Sequence, residues 1–551
     1  MIKNILLVFL FSIPSLTITA HQRTLTEMQN EAQSVFAVRS SRVSAKESKL
    51  QVVLQKEMLT VLGNDSQFVI VANNDAFRAI VGYADGVYTA ENTSLTWFID
   101  AVNEAMASDM AGNVTKRASV VPDASKYKIK VEALVQTTWS QREPYNNLCP
   151  KVSNGKCYPT GCVATALSQI MNYHKYPEHG IGKKQYSFKP EEGVGEILSA
   201  DFENTTYEWD KMLNNYVKGS YSDEEANAVA TLMLHCGVAV EMGYTSSGSG
   251  AYSSEARNGL MKFFGYNENA GLVSRDYYSL EQWMGMIYSE LNKNRPLYYA
   301  GSDKTSGGHA FVIDGYDETG LVHVNWGWGA DGGNGYYDIT LLNPSNYQFN
   351  LGQTMIVGID LPTAEVTYES HLVSDDPMSV TKIGKLLSVS AGKKIWNLNG
   401  DAWEGELAVV LEGEGKIYEL SKVTVGKTAH NYNVLSNTSS NLGGILTLPT
   451  DVADGKYRLY VGAKNSCDDR WQLVRRSEGQ TNCYQLTIQN KTVSSFVDCT
   501  DDTWQNNTTS IGAVQYYGNA TTNRCFNMQG QRVGNDYKGI IVKNGRKVLN
   551  K

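Results

Sequence analysis

Two segments of this chain carry the residue types of nucleophilic catalysis. The first is Tyr158-Pro-Thr-Gly-Cys162-Val-Ala-Thr-Ala-Leu-Ser-Gln-Ile-Met-Asn-Tyr-His174. Val163, Ala166, Leu167, Ile170 and Met171 recur at the spacing of one buried helix face. Thr160 is placed to cap that helix, Gly161 allows close approach, and Tyr176-Pro177 ends it. Cys162 then falls in the first turn, where unpaired backbone N–H groups and the helix dipole favour an anion, so a thiolate is expected. The second segment is Gly307-Gly-His309-Ala-Phe-Val-Ile-Asp-Gly-Tyr316, read as a strand with His309, Phe311 and Ile313 on one face and Ala310, Val312 and Asp314 on the other. Asp317-Glu-Thr-Gly320 turns the chain back through Leu321-Val-His323-Val-Asn325-Trp326-Gly-Trp328. The return strand brings Asn325 alongside the His309 strand, where an amide can fix the imidazole tautomer. His323 competes with His309 on arithmetic, but a valine on each side favours a structural place for it.

Each segment alone could be ordinary core. Together they hold an order. Cys162 precedes His309 by 147 residues and His309 precedes Asn325 by 16, the order of papain-type thiol chemistry, although Pro-Thr-Gly-Cys-Val replaces papain's local cysteine signature. Upstream, Gln141 in Trp139-Ser-Gln-Arg-Glu-Pro-Tyr-Asn146 has an amide able to donate to a tetrahedral oxyanion beside the Cys162 N–H. These residues resemble the streptopain family of secreted bacterial cysteine peptidases, over about 129–362. The motifs are Gln141…Pro144-Tyr-Asn, Thr160-Gly-Cys-Val-Ala-Thr-Ala, Gly308-His-Ala-Phe-Val-Ile-Asp-Gly and His323-Val-Asn-Trp-Gly-Trp-Gly. The resemblance implies Cys162 as nucleophile, His309 as general base and acid, and Gln141 as oxyanion donor. It also implies that Asn325 orients His309 while Trp326 and Trp328 shield that contact and wall the cleft. A two-lobed fold, no metal or organic cofactor, and a preference for an apolar residue before the scissile one come with it.

These residues need elements to hold them. Thr26–Val38 has helical spacing, Phe68-Val-Ile-Val, Arg78-Ala-Ile-Val-Gly-Tyr and Gly86-Val-Tyr read as short strands, and Ser94–Met110 is an amphipathic helix. The unit resembles the family's propeptide. The polar stretch 112–128 follows as an exposed linker, with Lys116-Arg117 and Lys126 as candidate processing sites. His235-Cys236 sits among Met233, Leu234 and Val238 and reads as core. Tyr244-Thr-Ser-Ser-Gly-Ser-Gly-Ala-Tyr252 lacks the lysine of a phosphate cradle and reads as a mobile cleft loop. Beyond 362, short alternating runs such as Glu406-Leu-Ala-Val-Val-Leu and Tyr457-Arg-Leu-Tyr-Val indicate an all-β sandwich. The last residues pattern as two strands around Asn544-Gly545 and resemble C-terminal tails of secreted Bacteroidetes proteins.

The first 20 residues combine Lys3, an apolar run too short to span a bilayer, and Ile18-Thr-Ala20, the pattern of a secretory signal. A net charge of −8 gives no surface for nucleic acid. Eight cysteines in 551 residues are too sparse for a stapled fold, with Cys149 and Cys157 the most plausible local bridge. The expectation is therefore an α+β protein: signal 1–20, inhibitory prodomain and linker 21–125, papain-like peptidase 126–362, β-sandwich 363–495 and tail 496–551. Its expected partners are protein substrates, its own prodomain, and cell-surface or sorting machinery through the tail. A surface adhesin with an inert peptidase-like domain, and another papain-type acyl transferase or amidase, are the alternatives.

Overall fold

One sheet joins the N-terminal segment to the centre of the chain. The computed structural model describes residues 20–39, 49–112, 119–152, 154–191, 195–303, 307–342, 352–438, 441–466 and 468–499, with three strands beyond 524. Residues 1–19 of the expected signal and Lys116-Arg117 lie outside them. The N-terminal segment folds as α1 (Leu25–Arg39), β1 (Gln51–Gln55), β2 (Leu59–Gly63), β3 (Gln67–Ala72), β4 (Ile80–Asp85) and α2 (Thr93–Ala111). Gly86-Val-Tyr88, expected as a strand, is a bend at Gly86, whose φ is 98°. β2 escapes the sequence pattern because it is buried at every position and so does not alternate.

The centre supplies α3 (Cys162–His174), β5 (Lys183–Phe188), β6 (Glu196–Asp201), α4 (Asp223–Ala239), α5 (Ser253–Phe264), β7 (Gly271–Ser274) and α6 (Leu280–Asn292). It continues with β8 (Leu297–Asp303), β9 (Gly307–Tyr316), β10 (Val322–Asn325), β11 (Gly335–Tyr337) and β12 (Thr354–Val357). The ten-stranded order is β1-β2-β3-β4-β11-β10-β9-β8-β12-β7. The N-terminal strands enter through β4 and β11, with Ala84, Tyr83 and Gly82 opposite Gly335, Tyr336 and Tyr337. A Cβ on Gly335 would lie 2.3 Å from the Tyr83 carbonyl oxygen, so this close pairing needs glycine.

β9 divides two cores, and its alternation is the expected one. Phe311 and Ile313 join Phe68, Phe98, Val102, Met106, Trp283, Trp326 and Tyr337. Ala310 and Val312 join the opposite core, made by Val163, Leu167 and Ile170 of α3 with α4 and α5. This second core holds neutral histidines: His235 Nδ1 is 2.9 Å from the Tyr207 hydroxyl and His174 Nδ1 is 3.2 Å from that of Tyr266. Burial pushes each down to about 4 from an ordinary 6.5. The unfolded chain therefore binds these protons first as pH falls. Stability should be full above 6.5 and decline between 6.5 and about 4, by at most about 3 kcal/mol per histidine. Urea midpoints across that range check this, and His235→Gln should flatten the decline.

From 363 onward the described elements are strands, apart from one short 3₁₀ turn at Val434–Asn437. Strands Ser379–Ile383, Leu386–Ser390 and Gly443–Leu446 form one sheet; Trp403–Gly413, Lys416–Thr428, Gly455–Asn465, Cys483–Gln489 and Thr492–Asp498 lie in another. Their facing side chains share a core of Leu387, Val389, Leu407, Val409, Leu459, Val461 and Leu486. This unit is docked on the centre. Arg275 pairs with Glu478 at 2.7 Å, the Asn258 amide donates to the Gly400 carbonyl at 2.6 Å, and the Arg475 guanidinium lies 4.1 Å over the Tyr278 ring. At the end of the chain Gly539–Lys543 pairs with Arg546–Asn550, and Cys525–Asn527 adds a third strand.

Candidate active site

α3 begins at Cys162, so the thiol stands in the first turn as expected. The cap differs. Gly161, at φ 87°, holds the N-cap position and no side chain caps the helix. The buried Thr160 hydroxyl turns instead to the Thr165 hydroxyl at 2.8 Å. The first backbone N–H groups are thereby left to the thiol: those of Cys162 and Val163, with Ala310 from β9, act on the sulfur. They lower the thiol pKa, but burial outweighs them and raises it. The expected thiolate is not favoured in this state. Gly161 is also hemmed in, since a Cβ would meet Met242 Sδ at 2.7 Å and the Ser249 carbonyl oxygen at 2.9 Å. Those contacts come from Met242 and the 243–250 loop that follows it, closed at its base by two Gly243–Gly250 backbone bonds and tied by the Ser249 hydroxyl to the Pro159 carbonyl at 2.7 Å. The glycine-serine loop, expected to be mobile, is held at its base and against the residue before Cys162.

His309 is half-buried at the start of β9, on the face opposite α3. That face is covered by α2. Ser94 Oγ lies 3.2 Å from His309 Nδ1, and the Trp328 indole N–H donates to the same oxygen at 2.9 Å. The Trp97 ring centroid is 5.7 Å from that of His309. Asn92 caps α2 by accepting from the Leu95 N–H, and its amide donates to the Gly332 carbonyl. One end of α2 thus occupies the space between His309 and Trp328. Gln141 is held near the head of α3: its backbone carbonyl accepts from the Thr160 N–H at 3.1 Å, two residues before Cys162. The Gly329 N–H donates to the Trp139 carbonyl at 3.2 Å.

Two expected roles change. Asn325 lies beside β9, but opposite Val312 rather than His309. Its amide donates to the Thr137 carbonyl at 2.7 Å and to Gln169 Oε1 at 3.1 Å, and its oxygen accepts from the Gly327 N–H. Its hydrogen bonds are thereby committed away from the imidazole. Trp326 does not wall the cleft here. It is fully buried between Phe98, Phe311 and Tyr337 at centroid distances of 5.7, 4.8 and 5.1 Å. Trp328 is the tryptophan that faces the site. His323 takes the structural place expected of it, with Nδ1 2.6 Å from the buried Asp314 carboxylate. Cys149 and Cys157 are both thiols: Cys149 is buried beside Tyr244, while the Cys157 thiol points to the Asn147 carbonyl at 3.7 Å. His235-Cys236 is core, with Cys236 against Ser168 and Met171.

The family model for the Peptidase C10 family matches residues 139–337, which hold Gln141, Cys162, His309, Asn325, Trp326 and Trp328. Streptopain of Streptococcus pyogenes is 33% identical over 316 residues, 53% of this chain and 78% of its own. The chain belongs to this family of cysteine peptidases. A prointerpain A fragment of Prevotella intermedia is 44% identical and superposes with a TM-score of 0.52 over 56% of this chain and 98% of the fragment. The thiol protease/hemagglutinin PrtT of Porphyromonas gingivalis is 30% identical over 67% of this chain, which spans 46% of that relative's length. Within this C10 member, sequence reasoning misses Ser94, Asn92 and Gln169. Asn92-Thr-Ser94 reads only as a helix cap, and nothing local marks a contact made 215 residues away.

Proposed function

We propose that this chain is the zymogen of an exported cysteine endopeptidase. Residues 21–125 are the inhibitory prodomain and linker, 126–362 the two-lobed peptidase, 363–495 a β-sandwich and 496–551 a surface or sorting tail. The observation that carries the reading is the meeting of Ser94 with His309 Nδ1 and Trp328. A thiol–imidazole pair needs one ring nitrogen for the thiol proton and a defined tautomer. Ser94 takes one nitrogen, and packing around Cys162 keeps its thiol protonated.

When α2 leaves, water and substrate reach the cleft and the helix N-terminus can favour the thiolate. His309 accepts the thiol proton, and the sulfur attacks the scissile carbonyl. The Gln141 amide and the Cys162 N–H stabilise the oxyanion. His309 protonates the leaving amine, and a water it activates releases the acyl group. Asn325 acts through the loop: by holding Gly327 it positions Trp328 beside His309. Ala310, Tyr298 and Met242 supply apolar surface around the thiol, which supports a preference for an apolar residue before the scissile one.

The test is labelling with a thiol-directed peptidyl epoxide. The processed protein should be modified at Cys162 and lose proteolysis in step, while the uncleaved chain labels far more slowly. A processed protein that binds ligands but never labels would support the adhesin instead. Gln141→Ala should lower kcat roughly 10²–10³-fold with KM little changed, checked on a peptide substrate.

A further inference from the structure

The β-sandwich brings two cysteines together that nothing in the catalytic scheme uses. Strands Cys483–Gln489 and Thr492–Asp498 are antiparallel, with Tyr484 opposite Asp498. One step further Cys499 faces Cys483, and the Cys499 N–H donates to the Cys483 carbonyl at 3.2 Å. Directly opposed residues of this kind have Cα atoms about 5.5 Å apart and side chains on the same face. That separation is in the middle of the disulfide range. Both side chains are buried in a small apolar cluster with Val410, Tyr460, Trp471 and Leu473, and both are thiols here. The two sulfurs touch, and that contact with burial pushes the Cys483 thiol far up. The pair Cys149 and Cys157 is not opposed in this way.

We infer that Cys483 and Cys499 close into a disulfide when the chain folds outside the cytoplasm, cross-linking the last two strands of the sandwich. The inference rests on the export reading above. The step is an exchange: each thiol gives up a proton, the S–S bond forms, and two electrons pass to a disulfide-bearing oxidant, which leaves as two thiols. Because both sulfurs are sealed from solvent in the folded unit, the bond forms during folding and then resists exchange. It closes a short loop and fixes the strand from which the tail departs.

The full-length Cys162→Ala chain, which cannot cut itself, is recovered from outside the producing cell and alkylated under denaturing conditions without reductant. A second sample is refolded from the reduced state in a glutathione redox buffer. Peptide mapping should show a 483–499 cross-linked peptide in both, about 2 Da lighter than the reduced pair. In the chain that retains Cys162, Cys483→Ser should melt about 4–8 °C lower and keep its peptidase activity. Two alkylated thiols in both samples, or pairing with Cys467 or Cys525, would overturn the inference. If the chain stays inside the cell, the refolded sample decides it. If the bond is present but the active chain does not hydrolyse protein, the peptidase reading fails alone.

Discussion

Replacing Cys162 with alanine will leave a folded, uncut and inactive chain. The substitution removes one sulfur from a half-buried site at the head of α3 and leaves the apolar stripe of that helix in place. Folding should therefore change little. Chemistry should change almost completely, because the residual activity of a site stripped of its nucleophile comes only from binding and oxyanion contacts. The loss should be roughly 10⁴–10⁶-fold in kcat. His309→Ala should cost about as much, and the double variant little more, since the two residues act as one unit. The measurement is casein hydrolysis together with the appearance of the processed form on a gel. Full processing in the alanine variant would refute the assignment of Cys162. Crosslinking of proteins or release of peptidoglycan fragments by the wild-type chain, without proteolysis, would point to an acyl transferase or amidase instead.

Removing the Phe98 ring should open the zymogen. Phe98 projects from α2 onto residues of the peptidase unit, with its centroid 5.3 Å from Tyr337 and 5.7 Å from Trp326. It is fully buried. Truncation to alanine costs about 3–5 kcal/mol at such a site, and part of that is lost from the docking of α2 over His309. A docking loss of about 3 kcal/mol raises the open fraction roughly a hundredfold. The uncleaved Phe98→Ala chain should hydrolyse a small peptide roughly a hundred times faster than the uncleaved parent. Lys116, Arg117 and Lys126 would be replaced by alanine in both, so that linker cleavage does not confuse the comparison. Limited proteolysis of the N-terminal unit reports whether it stays folded. An unchanged rate with an intact unit would show that latency resides in the Ser94 contact rather than in packing.

The linker shows how far local sequence reaches. Its polar composition predicts exposure, and Val121 and Lys126 are exposed. Nothing in that composition reveals that Tyr127 packs on Tyr288, or that the Tyr288 hydroxyl donates to the Val120 carbonyl. The site divides in the same way. The stripe from Val163 to Met171 places Cys162 at a helix head, and the alternation of β9 puts His309 and Phe311 on one face and Ala310 on the other. Those patterns have a period of 3.6 or 2 residues, so a short window of sequence contains them.

Which way the faces look is not contained in any window. The return strand is expected to bring the Asn325 amide to His309, yet the register of β10 sets it opposite Val312, and Gln169 of α3 takes its amide. The family resemblance makes Trp326 a cleft wall, but Phe98 arrives from 228 residues earlier and buries it. Ser94 meets His309 only because β4 pairs with β11 and carries α2 across the sheet. The amino-acid sequence by itself singled out Cys162 and His309, the helix and strand that carry them, and the β character of the described strands beyond 363. Tertiary structure alone decided that the N-terminal unit completes the sheet and that Ser94 is the residue it sets against the histidine. Periodicity is written in neighbouring residues, whereas strand pairing and burial depend on partners that only the folded chain brings together.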